Sequence, residues 1–183
     1  YTHIPMFQHP EDYAYVRLLE GHWQKVQAEA LRLDLDHFTN WPEKFLYDSG
    51  WRVFGLYGFG RKLERNCDLC PETTALIEQI DGLVTAGFSK LEPRTHIRAH
   101  CGYTNQVLRC HLPLKVPALG RCELRVGHDV RPWQLGRCFV FDDTTEHEAW
   151  NDSDEDRIVL IFDIWRPELS EQEKYELTAL FSD

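Results

Sequence analysis

The sequence predicts a mainly β fold, a sandwich or barrel of short strands with helices before it and one helix after it. Three observations carry this. From Ala86 to Trp165, short alternating segments rich in β-branched and aromatic residues follow one another with turn residues between them. Helical spacing is confined to the two ends of the chain. With 183 residues, 43% hydrophobic and 13% aromatic, the chain can fill one core without disulfide or metal staples. No repeat, low-complexity tract or linker interrupts it. Residues 1–183 therefore read as a single domain: a helical part to about 85, a β core over about 86–166, and a C-terminal helix over about 169–181.

Each element has its own signal. In "EDYAYVRLLEGHWQKVQAEALRL", from Glu11 to Leu33, the residues Tyr15, Leu18, Leu19, Trp23, Val26 and Leu31 recur near helical spacing. "CPETTALIEQIDG" is a second helix, with Pro71 in its first turn and Gly82 at its end. The strands are "GFSKLEP", "THIRAH", "QVLRCHLPLKV", "CELRVG", "GRCFVFDD" and "RIVLIFDIW". "LSEQEKYELTALF" closes the chain as a helix, where Ser170 and Glu173 have the spacing of a capping box.

Composition excludes some partners. The formal charge is −10 and the Lys and Arg residues are scattered, so no basic face awaits nucleic acid. No apolar run approaches the roughly 20 residues of a membrane span. The chain starts at Tyr1 and not at Met, and the expectation is that something upstream was removed, with room there for a signal or an anchor segment. Six cysteines are an even number, but a chain of this size does not need disulfides, and Cys110 reads as a buried thiol. A reducing, cytoplasmic setting follows as the expectation. "NDS" at Asn151 has the form of a glycosylation sequon.

Three segments carry chemistry. In "QVLRCHLPL", alternation puts Leu108, Cys110 and Leu112 on one face, and Arg109 and His111 on the other. A buried Arg beside a His needs something anionic to meet it; an exposed polar face of a one-sided sheet would read the same way. In "RIVLIFDIW", Ile158, Leu160, Phe162 and Ile164 share one face. Arg157 stands at the mouth of the other face, with Val159, Ile161, Asp163 and Trp165, and offers a planar fork for a carboxylate. A strand-start Arg in solvent is the plainer reading. In "FVFDDTTEHEAWND", His147 falls just past a strand end, with Asp142, Asp143 or Glu146 at hand to orient it.

His100 and His147 lie on opposite sides of several strands, a pattern that a double-stranded β-helix brings together. Neutral imidazoles suit Fe(II), and open coordination positions mark oxygenases. His100 is followed at the second position by Gly102, where such enzymes usually carry a carboxylate. The remaining histidines read as structural. His3, His9, His22 and His37 look like surface or capping residues, and His128 sits in a turn. His96 shares a face with His100 by parity but is not taken as a ligand. Cys67 and Cys70 lack a second pair for a zinc ribbon.

Taken together, "EPRTHIRAHCGYTNQVLRCHLPL", "GRCFVFDDTTEHEAWND" and "RIVLIFDIWRPELSEQEK" resemble the aspartyl/asparaginyl β-hydroxylases. The H-x-G-x-T-N, R-x-H-L, F-D-D-x-x-x-H and D-x-W-x-P-x-L elements appear in order over most of the chain. The resemblance implies a double-stranded β-helix of jelly-roll or cupin type and an Fe(II)- and 2-oxoglutarate-dependent dioxygenase. It implies His100 and His147 as the iron ligands, with Gly102 marking a position without a protein ligand. Ser89 and Arg157 would hold the distal carboxylate of 2-oxoglutarate, and His111 would meet the carboxylate near the metal. Arg109 would hold that carboxylate or an acidic group of the substrate. The implied partners are 2-oxoglutarate, O2 and a peptide or small-molecule substrate, with succinate and CO2 as co-products. The leading expectation is hydroxylation of the β-carbon of an Asp or Asn residue or a related amino acid. Hydroxylation of a lipid acyl chain, and a non-catalytic metal-binding or sensor protein, are the alternatives. Val107 departs from the pattern, where the animal enzymes carry a second arginine, as do Cys101 and Tyr103; these departures bear on the substrate.

Overall fold

A computed structural model describes residues 6–181, so His3 and Tyr1 lie outside the described residues. The chain opens with α1 (Ala14–Gly21) and α2 (Trp23–Leu31), where the sequence predicts one helix. His22 breaks it: this residue leaves helical geometry and caps α1 through its backbone N–H to the Leu19 carbonyl. The short strand β1 (Thr39–Asn40), then β2 (Trp51–Gly58) and β3 (Arg61–Lys62) follow. The part of the chain expected to be helical to about 85 therefore contributes three strands to the main sheet. The alternating "WRVFGLYG" of β2 is the overlooked strand signal.

Two short helices, α3 (Glu64–Leu69) and α4 (Pro71–Ile77), precede the core strands, with Pro71 in the first turn of α4 as predicted. The free N–H groups of Glu72 and Thr73 at the start of α4 donate to the buried Glu29 carboxylate of α2, at 3.0 and 2.6 Å. The strands β4 (Leu83–Leu91), β5 (Thr95–His100), β6 (Val107–Lys115), β7 (Cys122–Val126), β8 (Asp129–Pro132), β9 (Phe139–Asp142), β10 (His147–Asn151) and β11 (Arg157–Trp165) follow in turn. The chain ends in α5 (Glu171–Phe181), whose capping box is formed: Ser170 N donates to Glu173, and Glu173 N donates to Ser170 Oγ.

The strands form two antiparallel sheets. The larger has the order β1-β2-β4-β11-β6-β9, with β3 on β2; the smaller is β5-β10-β7-β8. This is the jelly-roll, double-stranded β-helix arrangement expected. The larger sheet is buried on both faces, which is why β6 and β11 read as nearly continuous apolar runs. Leu108, Cys110, Leu112, Leu160 and Phe162 pack outward with Val16, Leu19 and Val26 of α1 and α2. The Cys110 thiol is buried against the Tyr15 hydroxyl. Inward, Trp51, Val159, Ile161 and Phe141 meet Ile97, Leu124 and Ala149 of the smaller sheet. The parity predicted for both strands holds, and it places Arg109, His111 and Arg157 between the sheets.

One reading changes. His96 and His100 lie on opposite faces, because a bulge interrupts the β5–β10 ladder: His147 pairs with His100 and Ala149 pairs with Ile97. His96 instead stacks on Trp150 and bonds Glu148 at 2.6 Å. Asn151 of the sequon is fully buried; its side-chain amide donates to the Leu91, Glu92 and Glu155 carbonyls and ties β10 to the neighbouring turns. All six cysteines are unbonded, and Cys67 and Cys70 are buried thiols. Among the described residues no helix is long and apolar enough to cross a membrane.

Candidate active site

The cavity between the sheets is lined by His100, Arg109, His111, His147, Arg157 and Ser89, with Trp51 and Trp133. Strand register orders it. Arg109 lies opposite Asp163 on β11, His111 opposite Ile161, and Ser89 of β4 opposite Val159, with Arg157 at the start of β11. One end of the cavity therefore carries the histidine pair and Arg109, and the other carries Ser89 and Arg157.

His147 is the first residue of β10 rather than a loop residue, and it faces His100 across the β5–β10 ladder with ring centroids 4.3 Å apart. Both rings are held in the same way. His100 Nδ1 bonds the Arg98 carbonyl at 2.7 Å, and His147 Nδ1 bonds the Thr145 carbonyl at 2.8 Å. A carbonyl only accepts, so each Nδ1 carries the proton and each Nε2 is left with a lone pair. None of the three nearby acids orients His147. Asp142 accepts from Thr144 and pairs with Arg166, and Glu146 pairs with Arg125. Burial pushes the His147 pKa down to about 3, which keeps its ring neutral.

Asp143 stands on the other side of that ring. It is fully buried, and its Oδ1 lies 3.3 Å from His147 Nε2 and 3.3 Å from Arg109 Nη1. Neither carboxylate oxygen receives a well-formed hydrogen bond. A carboxylate oxygen and an imidazole lone pair thus face each other with no proton between them, an arrangement that calls for a cation or a bound donor. Burial, with the Asp163 charge acting in the same direction, pushes the Asp143 pKa up to about 6 against the pull of Arg109. Among the described residues no group of three or more His, Cys, Asp or Glu side chains is arranged to hold a metal. What the structure offers is a pair of histidines with an unsatisfied carboxylate beside them.

The far end has the opposite polarity. The sequence places Arg157 at the mouth of its sheet face, but the side chain is 1% exposed, because the smaller sheet covers it. Its Nη2 donates to Ser89 O and Oγ at 3.1 and 2.9 Å, its guanidinium lies over the Trp133 ring at 4.5 Å, and its Nε has no partner. Burial without an acidic partner lowers its pKa to about 10. Ser89 Oγ also accepts from Trp51 Nε1 at 2.9 Å, so its own proton is free to donate into the cavity. Midway, His111 Nδ1 accepts from Trp133 Nε1 at 3.1 Å, which leaves His111 Nε2 as a donor. Burial, then the Arg157 and Arg109 charges, push the His111 pKa well down. A buried guanidinium with a free N–H, a free serine hydroxyl and an imidazole N–H form a receptor for a small dianion.

Residues 20–167 match the Aspartyl/Asparaginyl beta-hydroxylase family. The chain belongs to that family. It is 47% identical to the ornithine lipid ester-linked acyl 2-hydroxylase of Rhizobium tropici over 121 residues, which are 66% of this chain and 43% of that protein. It is 35% identical to the aspartyl/asparaginyl beta-hydroxylase of Mus musculus over 176 residues, which are 90% of this chain and 23% of that protein. The chain thus spans less than half the length of each of these relatives. In fold it is similar to a Pseudomonas putida prolyl-4-hydroxylase, with a TM-score of 0.52 and 16% identity, covering 82% of this chain and 88% of that one.

In this member of the aspartyl/asparaginyl β-hydroxylase family, Arg109 is already engaged. Its Nε and Nη2 donate to the two oxygens of Asp163 at 2.8 and 3.0 Å. Although burial opposes its charge, Asp143 and Asp163 together raise its pKa. Sequence reasoning missed Asp163 as its partner, although the two residues sit on adjacent strands. It also missed Trp51 and Trp133, which hold Ser89 and His111. Each comes from a different segment with no local pattern pointing at the site. Val107, at the departure from the family pattern, is buried with Val84 and Trp165.

Proposed function

We propose that this chain is an Fe(II)- and 2-oxoglutarate-dependent dioxygenase that hydroxylates an unactivated carbon. One observation carries the reading. A single buried cavity has unmet acceptors at one end, His147 Nε2 and Asp143, and an unmet guanidinium N–H at the other, on Arg157. A cation at the first and a dianionic cosubstrate reaching the second would satisfy both.

In this reading His100 and His147 hold the iron through Nε2, and Asp143 supplies the nearby negative charge that Gly102 does not. Arg157 and Ser89 hold the distal carboxylate of 2-oxoglutarate, and His111 donates Nε2–H to the carboxylate nearer the metal. Bound Fe(II) and 2-oxoglutarate supply the oxidising power: O2 gives one oxygen to the substrate C–H and one to the cosubstrate, which leaves as succinate and CO2. The protein keeps the rings fixed by the Arg98 and Thr145 carbonyls and keeps water out with Trp51, Trp133 and Phe141. The relatives point to two substrates, an Asp or Asn residue and a lipid acyl chain.

The test is an anaerobic titration of the metal-free protein with Fe(II) and then 2-oxoglutarate. A visible charge-transfer band is expected, and it should vanish in His100→Ala and His147→Ala. Folded wild-type protein that shows no band with excess iron and cosubstrate would return the chain to the non-catalytic reading.

A further inference from the structure

A second chamber, of about 390 Å3, opens on the same inner face of the main sheet and shares Arg109 with the first. Its floor is Thr85, Asp163 and Arg109, which lie opposite one another on β4, β11 and β6; Val53 of β2, which pairs with Ser89 further along β4, lines it as well. Trp41 also lines it. At one end Phe59, Tyr103 and Phe181 meet ring to ring, with centroids 5.3 to 5.8 Å apart.

The polar groups of this chamber differ from those of the first cavity in one respect: they are spent on one another. The Asp163 carboxylate accepts from Arg109 at 2.8 and 3.0 Å, from Tyr103 OH at 2.9 Å and from Thr85 Oγ1 at 3.2 Å. Arg109 is shared further with Asp143. Glu43 accepts from Trp41 Nε1 at 3.2 Å. One guanidinium divided between two carboxylates has no charge left for an incoming acid, and a carboxylate brought here would meet net negative charge. An apolar guest, by contrast, asks for no hydrogen bond, and the rings and Val53 supply its contacts.

We infer that this chamber binds the hydrocarbon part of the substrate, an unbranched acyl chain, and leads one of its carbons past Arg109 to the histidine pair. This rests on the hydroxylase reading for its consequence but not for its test. The chamber assigns Trp41, Val53 and Phe181 to chain binding, and it makes the Phe59–Tyr103–Phe181 cluster the stop that limits chain length.

The test uses the full chain without metal or 2-oxoglutarate and the methyl ester of a brominated long-chain fatty acid as probe, which carries no carboxylate for Arg157 to bind. Bromine quenches indole fluorescence on contact, and Trp41 lines the chamber. Saturable quenching is expected, and Trp41→Phe should reduce it, with the remainder coming from Trp51, whose ring stacks on Trp41 with centroids 4.3 Å apart. Affinity should fall about tenfold or more in Phe181→Glu and Val53→Lys, which place a charge in an apolar site. Phe181 ends the last helix, so its variant tests the chamber even where Val53→Lys does not fold. Absent quenching, quenching untouched by Phe181→Glu, or displacement of the probe by a short aspartyl peptide would each overturn the inference. The charge-transfer band is read separately, so failure of the chamber and failure of the metal site are told apart.

Discussion

The backbone of Gly102 and the carboxylate of Asp143 share one small volume. A Cβ placed on Gly102 would sit 1.7 Å from Asp143 Oδ2, and Gly102 N donates to the Asp143 carbonyl at 2.7 Å. The glycine is therefore more than a missing ligand. It is the space that lets a carboxylate from the β9–β10 turn reach the histidine pair. Gly102→Ala should lower stability by about 1–3 kcal/mol, as overpacking in a tight core does. Gly102→Asp should not restore a third ligand, since it displaces Asp143 instead. In a double-mutant cycle of Gly102→Ala with Asp143→Gly, measured by urea unfolding, the second change should recover most of the loss. Additive losses would show that the two groups do not compete.

Arg157 sets stability against function. Holding its guanidinium buried without an acid lowers its pKa to about 10, a cost of roughly 3 kcal/mol to the ligand-free fold. Arg157→Met keeps the length of the side chain and removes the charge. The variant should melt no lower than wild type without cosubstrate and show no thermal shift with 2-oxoglutarate, where wild type should gain several degrees. A variant that still responds to 2-oxoglutarate would move the anion site elsewhere.

Trp133 acts on the cosubstrate through His111. Its indole N–H fixes the imidazole with Nε2 protonated, and its ring lies 4.5 Å from the Arg157 guanidinium. Trp133→Phe keeps the ring face and removes the donor, so His111 can take either tautomer. The Kd for 2-oxoglutarate should rise about fivefold to tenfold, the worth of one hydrogen bond. Iron binding, read by metal content, should stay unchanged, which separates an effect on His111 from general damage to the site.

Where the fold and the site were legible, a polar residue broke an apolar run. Arg109 and His111 inside β6 fixed the parity of that strand, and Arg157 and Asp163 did the same for β11; both parities hold. The motif order pointed to His100 and His147, and the register brings them together. Illegible were contacts between segments far apart in the chain. Nothing in "VRPWQLG" signals that Trp133 donates to His111, and nothing near Asp163 signals its bond to Arg109. Parity also failed where the backbone departs from a regular pleat, as at the bulge that turns His96 away from His100. The strand alone left Arg157 open between a carboxylate fork and a strand-start residue in solvent, and it is the position of the second sheet that buries it.

The buried imidazoles give the metal-free protein a definite response to acid. His147 has a folded-state pKa of about 3 against an ordinary 6.5, and His111 is lowered as well. Below pH 6.5 the unfolded chain takes up protons at these two rings that the folded chain refuses, so their stabilisation is present above 6.5 and is lost as pH falls towards 3. Asp143 works the other way. Its folded carboxyl, raised to about 6 from 3.8, contributes stability below 3.8 that is lost as pH rises through about 6. Between pH 6 and 4 the unfolded state holds up to about one more proton than the folded state at His147, and His111 adds to it in the same direction, against at most about one held by the folded state at Asp143, so acid destabilises. With a chelator present, urea midpoints should fall across this range. In His147→Gln, which keeps a side chain that can bond the Thr145 carbonyl, the dependence should weaken by about 1 kcal/mol per pH unit. An unchanged slope would mean that His147 is already charged in the folded protein, and its Nε2 would then carry a proton instead of the lone pair that the metal reading requires.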